Sequence, residues 1–306
     1  MRVTLLGPQR RPTVDQVIGH IDGHAPLATV TAGWEEREPD DAEMNSLLGG
    51  RGINLGLYGR WLDVHDRDPE YAAAELDHRA AIDELRQLHL VQLESALGAM
   101  YTLARRSGDR PRAIAAALAD AEAVVRQVDD SHLARVRAAH EDFGAAYPAE
   151  ERPVIAEHRA SVRQILEQAA GLIVAGGHVG VLVRTLALFN VAACIPPAVV
   201  AWSAGAMALT DHVVLFHDRA PHGPTPAEIY DDGLGLIRDI VLLPHARRRL
   251  RVDDLTRMAI LARRFAPARC VVLDDGTQMD LSADGALPPS ARVVAVDGHI
   301  VPLEEA

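Results

Sequence analysis

A serine set between an apolar run and a series of small residues, and a histidine directly after a second apolar run, are the groups in this chain best placed to do chemistry together. The serine is Ser203, in Pro197-Ala198-Val199-Val200-Ala201-Trp202-Ser203-Ala204-Gly205-Ala206-Met207. The run before it reads as a short buried strand, and the small residues after it as the opening of a helix. On such a tight turn the flanking residues must be small, because the backbone doubles back and the helix packs close to the strand. The turn would aim the amide of Ala204 at whatever Ser203 attacks, and the start of the helix favours negative charge there. The same residues also suit Ser203 as a plain helix N-cap, so the stretch alone leaves nucleophile and cap open. The histidine is His245, in Leu243-Pro244-His245 after the apolar run Asp239 to Leu243. Ligands meet open sheets at the carboxyl ends of their strands.

The elements that must position these groups alternate in type. Arg2 to Leu6 and Leu27 to Thr31 read as strands, with a helix from a Thr13 cap to about Ile21 between them. The acidic stretch Glu35 to Asp41 reads as a solvated loop, and a strand is expected around Ile53 to Tyr58. From Pro69 to Tyr147 the character changes: Leu76, Ile82, Leu85, Leu88, Leu93, Leu97 and Met100 recur near helical spacing. A break at Ser107 to Pro111 precedes a second helical run, Ala113 to Val128, and Asp130-Ser131 is a candidate cap for a third segment ending near Phe143. Such an insertion serves as a dimer arm, as a lid or as extra core. After it come a helix from Pro153 to Gln168, strands at His212 to Phe216 and Asp239 to Leu243, and a helix from Asp253 to Phe265. Short strands at Arg269 to Leu273, Gln278 to Leu281, Arg292 to Val296 and His299 to Leu303 follow. The pattern predicts an α/β fold with a mostly parallel sheet flanked by helices. Its parts are residues 1–68, a helical insertion at 69–147, and 148–306 carrying the serine turn. If the strands before Ser203 and His245 share one parallel sheet, both side chains reach the same edge.

Composition limits the function. At 306 residues, 48% hydrophobic and 24% charged, the chain builds a substantial core. Its formal charge of −12 argues against a general binder of nucleic acid or of anionic membranes. Cys194 and Cys270 are too few for a disulfide framework or a cysteine-based zinc site, and both read as buried free thiols. The apolar region Leu186 to Leu209 is interrupted by Pro196-Pro197 and is expected to pack, not to span a membrane. With no signal peptide read at the N-terminus, a cytoplasmic protein is expected.

Two further motifs compete for a role. Gly171-Leu172-Ile173-Val174-Ala175-Gly176-Gly177-His178-Val179-Gly180 is a loose dinucleotide fingerprint, but no Asp or Glu occurs between Glu167 and Asp211 to hold a ribose. Its paired glycines can instead present a bare backbone amide to an oxyanion. His217, Asp218 and His222 are a weak metal-ligand alternative, without helical ligand spacing.

Three segments taken in order, Val174-Ala175-Gly176-Gly177-His178, Ala201-Trp202-Ser203-Ala204-Gly205-Ala206 and Leu243-Pro244-His245, resemble peptidase E, the aspartyl dipeptidase, and its relative cyanophycinase. The resemblance covers about Glu151 to the end and the first two strands, and is absent from the helical insertion. It implies a class I glutamine amidotransferase-like, flavodoxin-like fold and a serine peptidase or amide hydrolase. In that reading Ser203 is nucleophile, His245 base and Asp218 the third member, although Asp211 and Asp239 are nearby acids. Gly177 and Ala204 become oxyanion donors. Gly176, His178 and Asp275, the last in an Asp274-Asp275-Gly276 turn, become substrate-binding residues. Ala201 stands where the family usually has Gly, and His178 where it has Asn or Asp, so the substrate preference need not carry over. No cofactor and no metal are expected. The expected partner is a small peptide or amide substrate, with neither nucleic acid nor membrane, and the insertion makes a homodimer an expectation. The alternative is a non-catalytic relative that keeps the pocket for binding or assembly.

Overall fold

Strands buried on both faces explain why the apolar runs of this sequence hardly alternate. In the computed structural model, which describes residues 1–9, 12–21, 23–219 and 225–306, Val199 and Ala201 enter one core while Val200 and Trp202 enter the core on the opposite face. The strands are β1 (Arg2–Leu6), β2 (Leu27–Val30), β3 (Gly52–Asn54), β4 (Gly171–Val174), β5 (Ala198–Trp202), β6 (His212–His217), β7 (Thr225–Asp232), β8 (Ile240–Pro244), β9 (Arg269–Leu273), β10 (Gln278–Leu281), β11 (Arg292–Val294) and β12 (Ile300–Pro302). The helices are α1 (Val14–Ile18), α2 (Ala42–Leu47), α3 (Leu57–Arg67), α4 (Pro69–Ala104), α5 (Pro111–Ala146), α6 (Pro153–Gln168), α7 (Val179–Leu188), α8 (Ala204–Ala208), α9 (Ala246–Arg249) and α10 (Leu255–Phe265).

Six strands form one sheet in the order β10-β1-β5-β4-β2-β3, parallel except for β10. Residues of α1 and α2 cover one face, and residues of α3, α6 and α7 the other. The chain is α/β, with a mostly parallel central sheet flanked by helices. The strand before His245 is not in that sheet: β8 pairs with β9 in a second sheet, of order β12-β11-β9-β8. The expectation of a single shared edge is therefore corrected. The antiparallel ribbon β6-β7 stands apart from both sheets. No helix among the described residues is long and apolar enough to cross a membrane.

The helical stretch is one hairpin of two 36-residue helices. Asp68 caps α4 by accepting from the Tyr71 amide at 3.1 Å, and Pro69 and Pro111 each stand in a first turn, where no amide is required. No third segment exists, because α5 continues through Asp130-Ser131: the Ser131 hydroxyl accepts from Gln127 on the preceding turn and caps nothing. The buried stripe of α4 is Tyr71, Glu75, Ile82, His89, Leu93, Leu97 and Met100, while Leu76 and Leu88 are exposed. Glu75 holds its inward place by accepting from the Trp61 indole and pairing with His65.

The acidic stretch is solvated only in part, with Glu36, Arg37, Pro39 and Asp40 exposed. Ala32–Arg37 forms a 3₁₀ turn and Glu38 is buried, its two oxygens accepting from the amides of Tyr58 and Gly59 at 3.0 and 2.8 Å. A carboxylate there satisfies donors that the first turn of α3 leaves open. Burial is the largest influence on it and raises its pKa. Of the predicted strand at Ile53 to Tyr58, only the start is extended, since α3 begins at Leu57. Of the two thiols, Cys270 is buried, with its pKa pushed up to about 12 by burial, whereas Cys194 is only half-buried.

Candidate active site

Ser203 follows β5 in a backbone conformation that L-residues rarely adopt, φ 50 and ψ −125. Holding a non-glycine residue there costs on the order of 1–3 kcal/mol and persists only where the surroundings over-determine it. Two close approaches supply that constraint. A Cβ on Gly205 would lie 2.4 Å from the Val174 carbonyl oxygen, and one on Gly176 would lie 2.9 Å from the Ser203 Cβ. The small residues after β5 are therefore required by packing of the turn against the end of β4.

His245 follows β8 in the left-handed region, φ 57 and ψ 32, and its amide donates to the Leu273 carbonyl of β9. From the second sheet its ring reaches Ser203, with Nε2 3.4 Å from Oγ. Both line a cavity of 710 Å³ together with Gly176, Gly177 and Ala204. The Gly177 and Ala204 amides donate to no described backbone acceptor, and Ala204, as the first residue of α8, has no partner within its own helix. Two such donors beside a hydroxyl can stabilise charge that develops on a bound carbonyl oxygen.

The remaining candidates lie elsewhere. Asp218 is buried, ion-paired with Arg257 and accepting from the Arg251 amide at 3.0 Å, while its own amide donates to Arg249 at 2.7 Å. It is not among the described lining of the Ser203 cavity. Asp211 and Asp239 stand at the amino ends of β6 and β8, and Asp211 accepts from the Asp239 amide at 3.3 Å. They sit at the far end of β8 from His245. His178 caps α7, its Nδ1 accepting from the Val181 amide at 3.2 Å, and faces a neighbouring cavity. Asp275 is exposed on its turn and lines a separate pocket with Arg247. Of the metal-ligand alternative, His217 lines the Ser203 cavity, Asp218 is committed to Arg257, and His222 lies outside the described residues.

Several lining residues carried no sequence signal. Leu90 and Glu94 come from α4, so the hairpin itself forms part of the cavity wall. Trp34 comes from the turn after β2, and Glu228 of β7 is held by Arg86 at 2.7 Å. Helical periodicity finds only part of the buried face of α4, and it does not show what faces a cavity.

Gly177 joins these parts. At φ 133 it passes so close to the turn after β2 that a Cβ would lie 2.2 Å from the Gly33 carbonyl oxygen, beside the His178 amide bond to that same oxygen at 2.7 Å. Gly177→Ala should destabilise the fold by about 1–3 kcal/mol, since both a strained φ and a backbone clash must relax. A urea midpoint equal to that of the parent protein would show that the two turns are not locked together.

No protein-family model and no curated protein matches the chain. Among solved structures it is similar to the crystal structure of a peptidase from an acI-B1 Actinobacterium, at 13% identity and a TM-score of 0.39, over 96% of this chain and 91% of that chain.

Proposed function

We propose that this protein is a serine hydrolase of the peptidase E kind, on a class I glutamine amidotransferase-like fold, cleaving a peptide or amide bond in a small substrate. The observation that carries this reading is the strained Ser203 turn with its hydroxyl 3.4 Å from His245 Nε2. A serine hydroxyl is a weak nucleophile until a base takes its proton, and this geometry supplies the base. In the reaction, Ser203 Oγ attacks the carbonyl carbon as its proton passes to His245, and the Gly177 and Ala204 amides hold the oxyanion. Collapse expels the amine, which takes the proton from His245 and leaves an acyl-enzyme on Ser203. Water, deprotonated by the same imidazole, then releases the acid and restores the serine.

Asp218 enters this reading as a positioning residue. Through the Arg249 carbonyl, the Arg251 amide and Arg257 it fixes the chain that leaves α9, and so the seat of His245 at the start of that helix. Residues 1–68 and 148–306 make the catalytic body in this proposal, and 69–147 are an insertion that walls the site. A serine-directed fluorophosphonate tests the reading directly. The expected result is a single adduct on Ser203 located by peptide mass spectrometry. A protein that stays unlabelled under conditions that label a known serine hydrolase would leave the cavity as a binding site without catalysis.

A further inference from the structure

A second cavity, of 1050 Å³, lies beside the Ser203 cavity and shares Gly177, Val179 and Leu215 with it. Its lining is strongly aromatic, with Tyr58, Trp61, Tyr71, Phe143, Tyr147 and Tyr230 drawn from α3, the hairpin, its exit and β7. Most of its charges are matched within the protein. Arg86 pairs with Asp83 and Glu228, Asp231 with His140, Asp232 with Arg137, and Arg159 with Glu150. Two are not, since among the described residues neither the Glu35 carboxylate nor the Arg79 guanidinium makes a side-chain hydrogen bond or ion pair.

Arg184 is the third element. It lies over the Trp61 ring at 4.7 Å, and its buried Nε donates to no acceptor among the described residues. Arg184 forms an ion pair with Glu75 at 3.5 Å, and the same carboxylate also accepts from Trp61 and pairs with His65. Burial first, and Arg79 next, press down on the Arg184 charge, so two guanidiniums share one wall and, among the described residues, Glu75 alone is ion-paired with either. Opposite in sign, Glu35 is held by φ 57 and ψ −124, nearly the conformation of Ser203. That twist turns Trp34 to the Ser203 cavity and Glu35 to this one.

We propose that this second chamber binds an α-amino acid with a large apolar side chain, its carboxylate on Arg79 and Arg184, its ammonium on Glu35, and its side chain on the aromatic wall. Guanidinium forks suit carboxylates, and a charged partner strengthens each hydrogen bond. A phosphate dianion fits less well, because Glu35, Asp83 and Asp231 line the same space. The inference goes beyond the reading of Ser203 and does not need it.

Calorimetric titration of the unmodified protein with L-phenylalanine, L-phenylalaninol and 3-phenylpropionate tests it, since none of the three contains an amide to hydrolyse. Phenylalanine should bind roughly tenfold or more tighter than either analogue, the loss expected for one charge-assisted hydrogen-bonding group. Glu35→Gln should erase its advantage over 3-phenylpropionate, and Arg79→Gln its advantage over phenylalaninol. Arg184→Gln should act like Arg79→Gln. Each variant should keep the other advantage, which also shows that it is folded. Equal affinity for all three compounds, no binding of phenylalanine, or differences that survive the substitutions would each overturn the proposal. Whether Ser203 accepts a fluorophosphonate leaves these titrations unchanged.

Discussion

Ser203→Gly should abolish fluorophosphonate labelling and at the same time make the protein more stable. The labelling arm follows from the proposed role of Ser203 as nucleophile, and His245→Asn should reduce labelling by roughly a thousandfold or more, because residues that act as one unit are lost together. Asparagine is the informative replacement at His245, since it tolerates the left-handed conformation better than alanine does. The stability arm follows from the backbone. Serine at φ 50 and ψ −125 carries strain on the order of 1–3 kcal/mol, which glycine removes. Glycine gives back about 0.5–1 kcal/mol through the greater freedom of the unfolded chain. A net gain of about 1 kcal/mol is expected, and Ser203→Ala, which keeps the strain, should show no comparable gain. Urea denaturation of the two variants checks this. A glycine variant no more stable than the alanine variant would mean that the turn is at ease as it stands.

Acidification from neutral pH to about pH 4 should cost the fold roughly 3 kcal/mol through His89 alone, at about 1.4 kcal/mol for each pH unit of displacement. His89 of α4 and His132 of α5 are each 1% exposed and stack at 4.2 Å with 9° between their rings. Among the described residues neither ring nitrogen of His89 has a hydrogen-bond partner, and its Nε2 lies 3.4 Å from Asp129. Asp129 is committed to Arg264 of α10, which donates to both its oxygens at 2.7 Å. Burial first, then His132, Arg264, Arg135 and Arg86, lower the His89 pKa from 6.5 to about 4. The folded state thus keeps the ring neutral while the unfolded chain protonates it below about pH 6.5. The contribution is fully present above pH 6.5, falls as pH drops toward 4, and changes no further below that. His89→Phe keeps a flat ring against His132 without the charge, so its urea midpoint should fall less steeply over the same interval. An unchanged slope would place the acid sensitivity elsewhere.

The Ser203 turn was legible because its demand is local. Small residues after a buried strand report a close approach that any reader can count, and the structure supplies the opposing Val174 carbonyl. The mostly parallel sheet was legible for a similar reason, in unbroken apolar runs between helices. What failed depended on partners far along the chain. Leu76 and Leu88 looked like core because nothing in α4 says that Trp61 and His65 satisfy Glu75, or that His132 stacks on His89. Glu38 looked solvated because its amide partners are 20 and 21 residues away. The resemblance made Asp218 a companion of His245, and its bond to Arg257, 39 residues on, is not legible in the motifs that carry that resemblance. Chain order also concealed that β5 and β8 lie in different sheets.

One helical segment of α4 carries two unrelated duties: His89 sits in the buried cluster that ties the hairpin to α10, while Leu90 and Glu94 line the Ser203 cavity. Helical geometry separates His89 from Leu90 by a rise of about 1.5 Å and a turn of about 100°, so neither can be repositioned alone. Selection for a different cavity shape at Leu90 or Glu94 therefore acts on the anchor beside them, and selection for acid tolerance at His89 acts on the cavity wall. Drift in either property is expected to drag the other with it, an evolutionary linkage imposed by the pitch of a helix.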